Sequence, residues 1–289
     1  MNKKSGILKL IIYPIKSLPG IEVDEIDVTR SGMQCGEFHD RSYILLNEHK
    51  NMITQRMKPK LALIRISIHD NELWLDAPSL ETLKIPCDLD TSGNEVFEFS
   101  VWGQETKGVD CGDSVNQWFT RFLGAQTKLV KFDSNMPYRG TGFQNDNQLY
   151  NDENYPIVYQ DGSPTLLINQ SSIDDLNKRL DRSSQVTYRN FRPNILIRSK
   201  SAFDEDVWKE IQLGEIRLDN VKPCDRCTLT TVNPDKGVKH PNMEPLRTLK
   251  SYRIIEETKH LYKDAPLFGV NLVAQNFGTI KLNDEMLIF

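Results

Sequence analysis

The chain has 289 residues, a formal net charge of -4, 38% hydrophobic residues and a mean hydropathy of -0.48. Those values suit a soluble globular protein of one large or two ordinary domains and argue against a general nucleic-acid binder. Five cysteines is a low, odd count; it fits free thiols in a reducing compartment, and so a cytoplasmic location, and excludes a disulfide framework.

The N-terminus opens with Lys3 and Lys4 and then turns apolar, but Lys9 and Pro14 interrupt the run. It falls short of the ~20 apolar residues of a membrane span, and no small-residue cleavage site follows it. Residues 7–13 are therefore expected to be a first strand, and no membrane span is expected. Pro19-Gly20 makes a turn, and residues 21–28 alternate as a half-buried strand. Further strands are expected over 42–46, 61–68, 72–75 and 96–102, the middle pair as a hairpin around His69-Asp70-Asn71. Residues 114–122 read as a helix capped by Ser114 and ended by Gly124. Residues 127–132 return to strand. The first 130 residues or so thus read as a mainly antiparallel β-barrel-like domain closed by one helix.

From Asp133 to Pro156 the composition shifts to Asn, Asp, Gly and Pro, as in a long functional loop or a plain linker. Beyond it, a strand over 165–168 leads into an amphipathic helix over 170–180, with Ser171 or Ser172 near its cap and Asp174-Asp175 in its first turn. Strands follow at 190–197 and, as strand-turn-strand, at 208–218. Residues 245–252 form a helix, and short strands over 268–273, 279–282 and 286–289 close the chain. The fold class expected is mainly β with a few helices (α+β), in two domains, 1–130 and 131–289.

Residues 221–237 read VKPCDRCTLTTVNPDKG. Cys224 and Cys227 sit before a β-branched run, 228–232, that reads as a strand. Arg226 between the thiols favours the thiolate. Four readings of the pair stay open: ordinary cysteines, half of a zinc site, a redox disulfide, or one thiolate ligand to a metal cofactor. Zinc lacks a second pair, since Cys35, Cys87 and Cys111 are single. A redox disulfide normally opens a helix, and here a strand is expected to follow.

Other candidates sit at element ends. Lys16-Ser17 leaves the first strand, and Lys is a good phosphate binder. Arg41 begins a strand. Arg192 precedes Pro193, which pushes its backbone to extended geometry; Asn194 follows. Ser163 lies in a Gly-Ser-Pro turn whose amides could face an anion. Singly these are ordinary surface residues; their recurrence suggests one shared anionic ligand.

The segments YPIKS (13–17), DRSYIL (40–45), NFRPNI (190–195), CDRCTLTTVNPDKG (224–237), EPLRTLKSYR (244–253), LFG (267–269) and GTIKLND (278–284) resemble, in order and spacing, the MOSC-domain family, and more narrowly its amidoxime-reducing component branch. The likeness covers nearly the whole chain. It implies an N-terminal β-barrel MOSC-type domain followed by the MOSC β-barrel domain proper. It also implies a molybdenum-molybdopterin cofactor. The matching metal ligand, and catalytic residue, is Cys227. The cofactor would be gripped by residues matching Lys16, Ser17, Arg41, Ser163, Arg192 and Asn194, with Arg226 adding contacts beside the ligand. The role of Cys224 is left open.

The implied activity is two-electron reduction of N-hydroxylated or N-oxygenated compounds such as amidoximes and hydroxylamines. Animal members carry an N-terminal membrane anchor, and none is expected here. Some bacterial members carry a C-terminal iron–sulfur domain needing four cysteines, and no cysteine follows Cys227. Electrons are therefore expected from a separate donor protein: cytochrome-b5-like, ferredoxin-like or a flavin reductase. The alternatives are a persulfide (sulfur) carrier, as in MOSC domains of cofactor sulfurases, and a cofactor-binding or storage protein.

Overall fold

The computed structural model describes residues 5–141 and 155–289. Most of the polar stretch 133–156, expected as a loop, lies outside the described residues. The expected β-rich fold is present, and its main feature is an eight-stranded sheet. Its strands lie in the order Ile21–Val23, Gly6–Ile12, Ile195–Arg198, Thr165–Asn169, Leu267–Ala274, Ile216–Asp225, Glu210–Leu213 and Met286–Ile288. Two N-terminal strands therefore share a sheet with six strands from beyond residue 164.

The central strands are apolar on both faces because the sheet is covered on both sides. Leu10, Ile12, Leu167, Ile195 and Ile197 point into the large core. Their neighbours Ile11, Ile168 and Leu196 point the other way, against Ile173 and Leu176 of the helix Gln170–Arg179. The two-residue side-chain period of a strand makes this split automatic. The Thr165–Asn169 and Ile195–Arg198 pair is parallel, and the helix supplies the crossover it requires.

A second sheet, Val96–Val101, Gln104–Asp110, Thr127–Lys131 and Tyr43–Asn47, encloses a smaller core of Ile44, Phe97, Phe99, Val130 and Tyr159. The helix Asp113–Leu123 buries Val115, Trp118, Phe119 and Leu123 beside it, and Gly124 ends it in the left-handed region at φ 67°. A third sheet joins the chain's end to its start, pairing Gly278–Lys281 with Glu25–Thr29.

The caps differ from expectation. The first helix is preceded by Gly112, not capped by Ser114. In the second, Asn169 at the strand end has extended backbone and its side chain accepts from Ser171 N–H; Asp174 and Asp175 fall past the first turn. A cap needs that extended backbone, which the strand end provides and the serines inside the helix do not. Of the run 228–232, only Val232 is in a strand, the two-residue Val232–Asn233 paired with Val238–Lys239. Thr228–Thr231 forms a 3₁₀ turn, with Thr230 Oγ1 donating to Cys227 O at 2.9 Å and Thr231 Oγ1 to Thr228 O at 2.8 Å. Threonine hydroxyls bonding back to carbonyls three residues earlier compete with a strand ladder, and here they win.

Gly269 shows how tightly the sheet is built behind the cysteine loop. Its φ is 78°, and a Cβ there would lie 2.2 Å from Ile168 Cδ1 and 2.7 Å from Leu167 O. Left-handed strain and overpacking together put the cost of Gly269→Ala at about 2–5 kcal/mol. Urea unfolding should show a lower midpoint at unchanged slope; a wild-type midpoint would show that the sheet yields at this point.

Candidate active site

The Ile216–Asp225 strand ends at the cysteine pair, and the 3₁₀ turn after it redirects the chain. Cys227 is therefore exposed, whereas Cys224 is half-buried. Both line a cavity of about 360 Å³. Arg41, Ser163, Arg192, Asn194 and Arg226 line it too, so five candidates far apart in sequence meet beside the pair.

Lys16 and Ser17 do not reach the wall. Both are buried behind it. The Lys16 ammonium donates to Asp161 Oδ1 and to Tyr159 O, each at 2.5 Å. Burial lowers the Lys16 pKa, with Asp161 pulling the other way. Asp161, at the cavity wall, is the opposite case. Surrounding protein raises its pKa, but Lys16, Trp102 and Arg41 more than offset this and hold its carboxyl well below the usual range.

One buried carboxylate organises the wall. Asp40 is 0% exposed. Its Oδ1 accepts from Tyr13 N–H at 2.9 Å and Asn194 Nδ2 at 3.0 Å, and its Oδ2 from Arg41 Nη1 at 2.5 Å. Asn194 is saturated: Nδ2 also donates to Ile11 O, and Oδ1 accepts from Arg41 Nη1 and Leu166 N–H. Ser163 Oγ is likewise engaged, by Leu272 O at 3.0 Å. Asn194 and Ser163 therefore shape the wall rather than offer free donors to a ligand.

Arg41 and Arg192 flank the Tyr13 ring, their guanidinium carbons 4.3 and 4.4 Å from its centroid. Burial, partly offset by those charges, pushes the Tyr13 hydroxyl up to about 12. The Arg192 pKa falls to about 10, chiefly through burial, with Arg41 adding repulsion and Tyr13 opposing both. Arg192 is not extended as expected: its φ is 60°. Its N–H closes a turn onto Tyr188 O and its guanidinium donates to Leu18 O, and this tertiary anchoring overrides the local bias of the following proline.

Arg226 is 8% exposed; Nε donates to Phe268 O and Nη1 to Phe191 O. Its Nη2 is buried with no hydrogen-bond partner among the described residues. An orphaned charged donor beside a cavity is the mark of a site built for an acceptor. Arg226 does not leave Cys224 acidic, however: burial raises that thiol above its ordinary value, and Arg226 only tempers the rise.

Sequence reasoning passed over Asp40, Asp161 and Trp102. Trp102 and Gly103, with φ of 54° and 84°, form the two-residue turn between Val96–Val101 and Gln104–Asp110. Both residues are left-handed, as a type I′ hairpin requires, which normally selects Asn-Gly. A tryptophan there bears roughly 1–2 kcal/mol of strain. A Gly after an alternating strand was the available signal.

Comparison with known proteins gives the family. Residues 5–126 match the MOSC N-terminal beta barrel domain and residues 154–287 the MOSC domain. The chain is 40% identical over 292 residues to mitochondrial amidoxime reducing component 2 of Rattus norvegicus, covering 99% of this chain and 84% of that one. The chain belongs to the amidoxime-reducing component branch of the MOSC-domain family. Mitochondrial amidoxime-reducing component 1 of Homo sapiens is 39% identical over 288 residues, covering 99% and 83%. Among solved structures, the YUAD protein of Bacillus subtilis gives a TM-score of 0.36 at 8% identity, over 98% of this chain and 93% of that one. Among the described residues no helix is long and apolar enough to cross a membrane.

The Asp40 network yields a direct test. Asp40→Ala leaves the Arg41 charge uncompensated and strands Tyr13 N–H and Asn194 Nδ2. The loss should be about 3–5 kcal/mol, read by urea unfolding, with Asp40→Asn losing less. Equal stability of Asp40→Ala and wild type would show that the network is not needed to hold the wall.

Proposed function

We propose that the protein is a molybdenum-cofactor-dependent reductase of N-hydroxylated and N-oxygenated compounds, fed by a separate electron-donor protein. The observation that carries this is the cavity where exposed Cys227 meets buried arginines, one with an orphaned Nη2. The names of the relatives, which reduce amidoximes, support it, as does a domain named for molybdenum-cofactor sulfurases. The division into two domains near residue 130 is part of the same proposal.

The residues present fit the group. Among the described residues no three His, Cys, Asp or Glu converge on a metal. A metal here would thus be one that brings most of its own ligands, and the soft sulfur of Cys227 suits molybdenum. Arg226, Arg192 and Arg41 would hold the anionic pterin and its phosphate, Arg through paired N–H donors. Lys16 and Ser17 would act from behind the wall, and Ser163 and Asn194 by shaping it. When bound, the cofactor would supply the two-electron redox chemistry that converts N–OH to N–H and water. The chain supplies binding, orientation and a field of fixed charge. The relatives' names place them in mitochondria; a cytoplasmic site rests on the five free thiols alone.

Cys227→Ser should lose most of its molybdenum and activity, because a hydroxyl is a poor substitute for a thiolate, while Cys224→Ser keeps most of the metal. Metal analysis in which content follows Cys224 instead would reassign the ligand. No nicotinamide glycine fingerprint is present in the sequence. The protein alone should therefore not oxidise NADH or NADPH, yet should reduce benzamidoxime with reduced viologen or a reconstituted donor. Turnover on NADH alone would sink this division of labour. Full loading without turnover on any donor would favour the persulfide-carrier or storage reading.

A further inference from the structure

Trp102, like Arg41 and Arg192, lines the cavity from a left-handed backbone, and it is the aromatic one of the three. It occupies a left-handed hairpin position that asparagine or glycine would fill without strain. The packing of its own hairpin does not explain it, since the indole remains 44% exposed. The neighbouring strand Val96–Val101 already buries Phe97, Phe99 and Val101 in the core below, so the hairpin does not need the ring for its stability.

What the strained position does is carry the ring across to the cavity, where Trp102 lines the wall together with Cys227 and Arg56. There the ring is fixed. Its Nε1–H donates to Asp161 Oδ1 at 2.8 Å, the same oxygen that holds Lys16. The Arg56 guanidinium carbon lies 4.3 Å from the ring centroid and the Lys16 ammonium 5.8 Å. An oriented indole stacked with a planar guanidinium is a rigid, flat, weakly hydrated surface, suited to stacking against another flat group. A residue held in a sparsely populated conformation by contacts at a site points to function there.

Resting on the reductase reading above, we infer that Trp102, with Arg56, is the specificity wall that receives the organic part of the substrate and selects N-hydroxylated compounds with a flat aromatic group over small aliphatic ones. The wall comes from the N-terminal part of the chain, whereas Cys227 comes from the C-terminal part. Selectivity and chemistry thus reside on separate segments that meet at the cavity.

The test compares benzamidoxime with acetamidoxime, which share the N–OH group and differ in the ring. Binding to the full-length protein is measured by calorimetry alongside turnover. Wild type should bind benzamidoxime about tenfold more tightly, the range expected of one aromatic stacking contact. Trp102→Asn should bring the two within about twofold, while Trp102→Phe keeps most of the preference. The thermal midpoint of Trp102→Asn should not fall, because asparagine suits the turn; a purely structural tryptophan would lower it. Should Trp102→Asn not fold, Trp102→Ala carries the same binding comparison. Retention of the wild-type preference in these variants, or no preference in wild type, overturns the inference. A ring-dependent binding preference without any turnover leaves the wall standing and removes the reductase reading instead.

Discussion

The buried carboxylate of Asp40 ties together parts of the chain that lie far apart in sequence. Its two oxygens fix the end of the first strand through Tyr13, the side chain of Arg41, and Asn194 at the entry to a late strand. Asn194 passes the constraint on to Ile11 and Leu166. A fully buried charge persists only when paired and hydrogen-bonded on all sides, so each of these segments must arrive for any of them to be stable. The cationic wall of the cavity follows from this requirement.

The wall is built from charges that a cavity without a ligand would disfavour. Arg41, Arg192 and Arg226 are held close by backbone carbonyls and by the Tyr13 ring, and the Arg226 donor that remains has no acceptor among the described residues. Asp40 compensates Arg41, whereas backbone carbonyls orient Arg192 and Arg226 without neutralising them, so these two keep a pull on an anion. The Asp161–Lys16 pair sits at one margin, where it fixes the Trp102 ring without cancelling the arginines.

The two ends of the chain complete the site by pairing within common sheets. The first strand lies beside Ile195–Arg198, and Gly278–Lys281 pairs with Glu25–Thr29. Cys227 and Arg226 follow the Ile216–Asp225 strand and Arg192 precedes Ile195–Arg198 of the same sheet, while Arg41 and the Trp102 hairpin reach in from the second sheet. Rigid elements position such a constellation better than loops do.

Local pattern was enough for most elements, since alternation and turn residues are properties of neighbouring residues. The strands at 7–13, 96–102 and 127–132 and the Gly124 stop were legible in this way. The sequence also singled out Arg41, Ser163, Arg192, Asn194 and Arg226, which the fold brings to the cavity beside Cys227, and Lys16 and Ser17, which lie behind its wall. Two segments misled for different reasons: Thr228–Thr231 curls because local bonds from the Thr230 and Thr231 hydroxyls to carbonyls three residues back outweigh β propensity, and Arg192 turns left-handed because its guanidinium is anchored far away on Leu18. Asp40 and Trp102 look ordinary in the chain, and Asn194 shows none of its partners there. Asp40 and Asn194 matter through partners up to 183 residues away, Trp102 through Asp161, 59 residues on, and pairings at such range are set by how the sheets close, which no local pattern encodes.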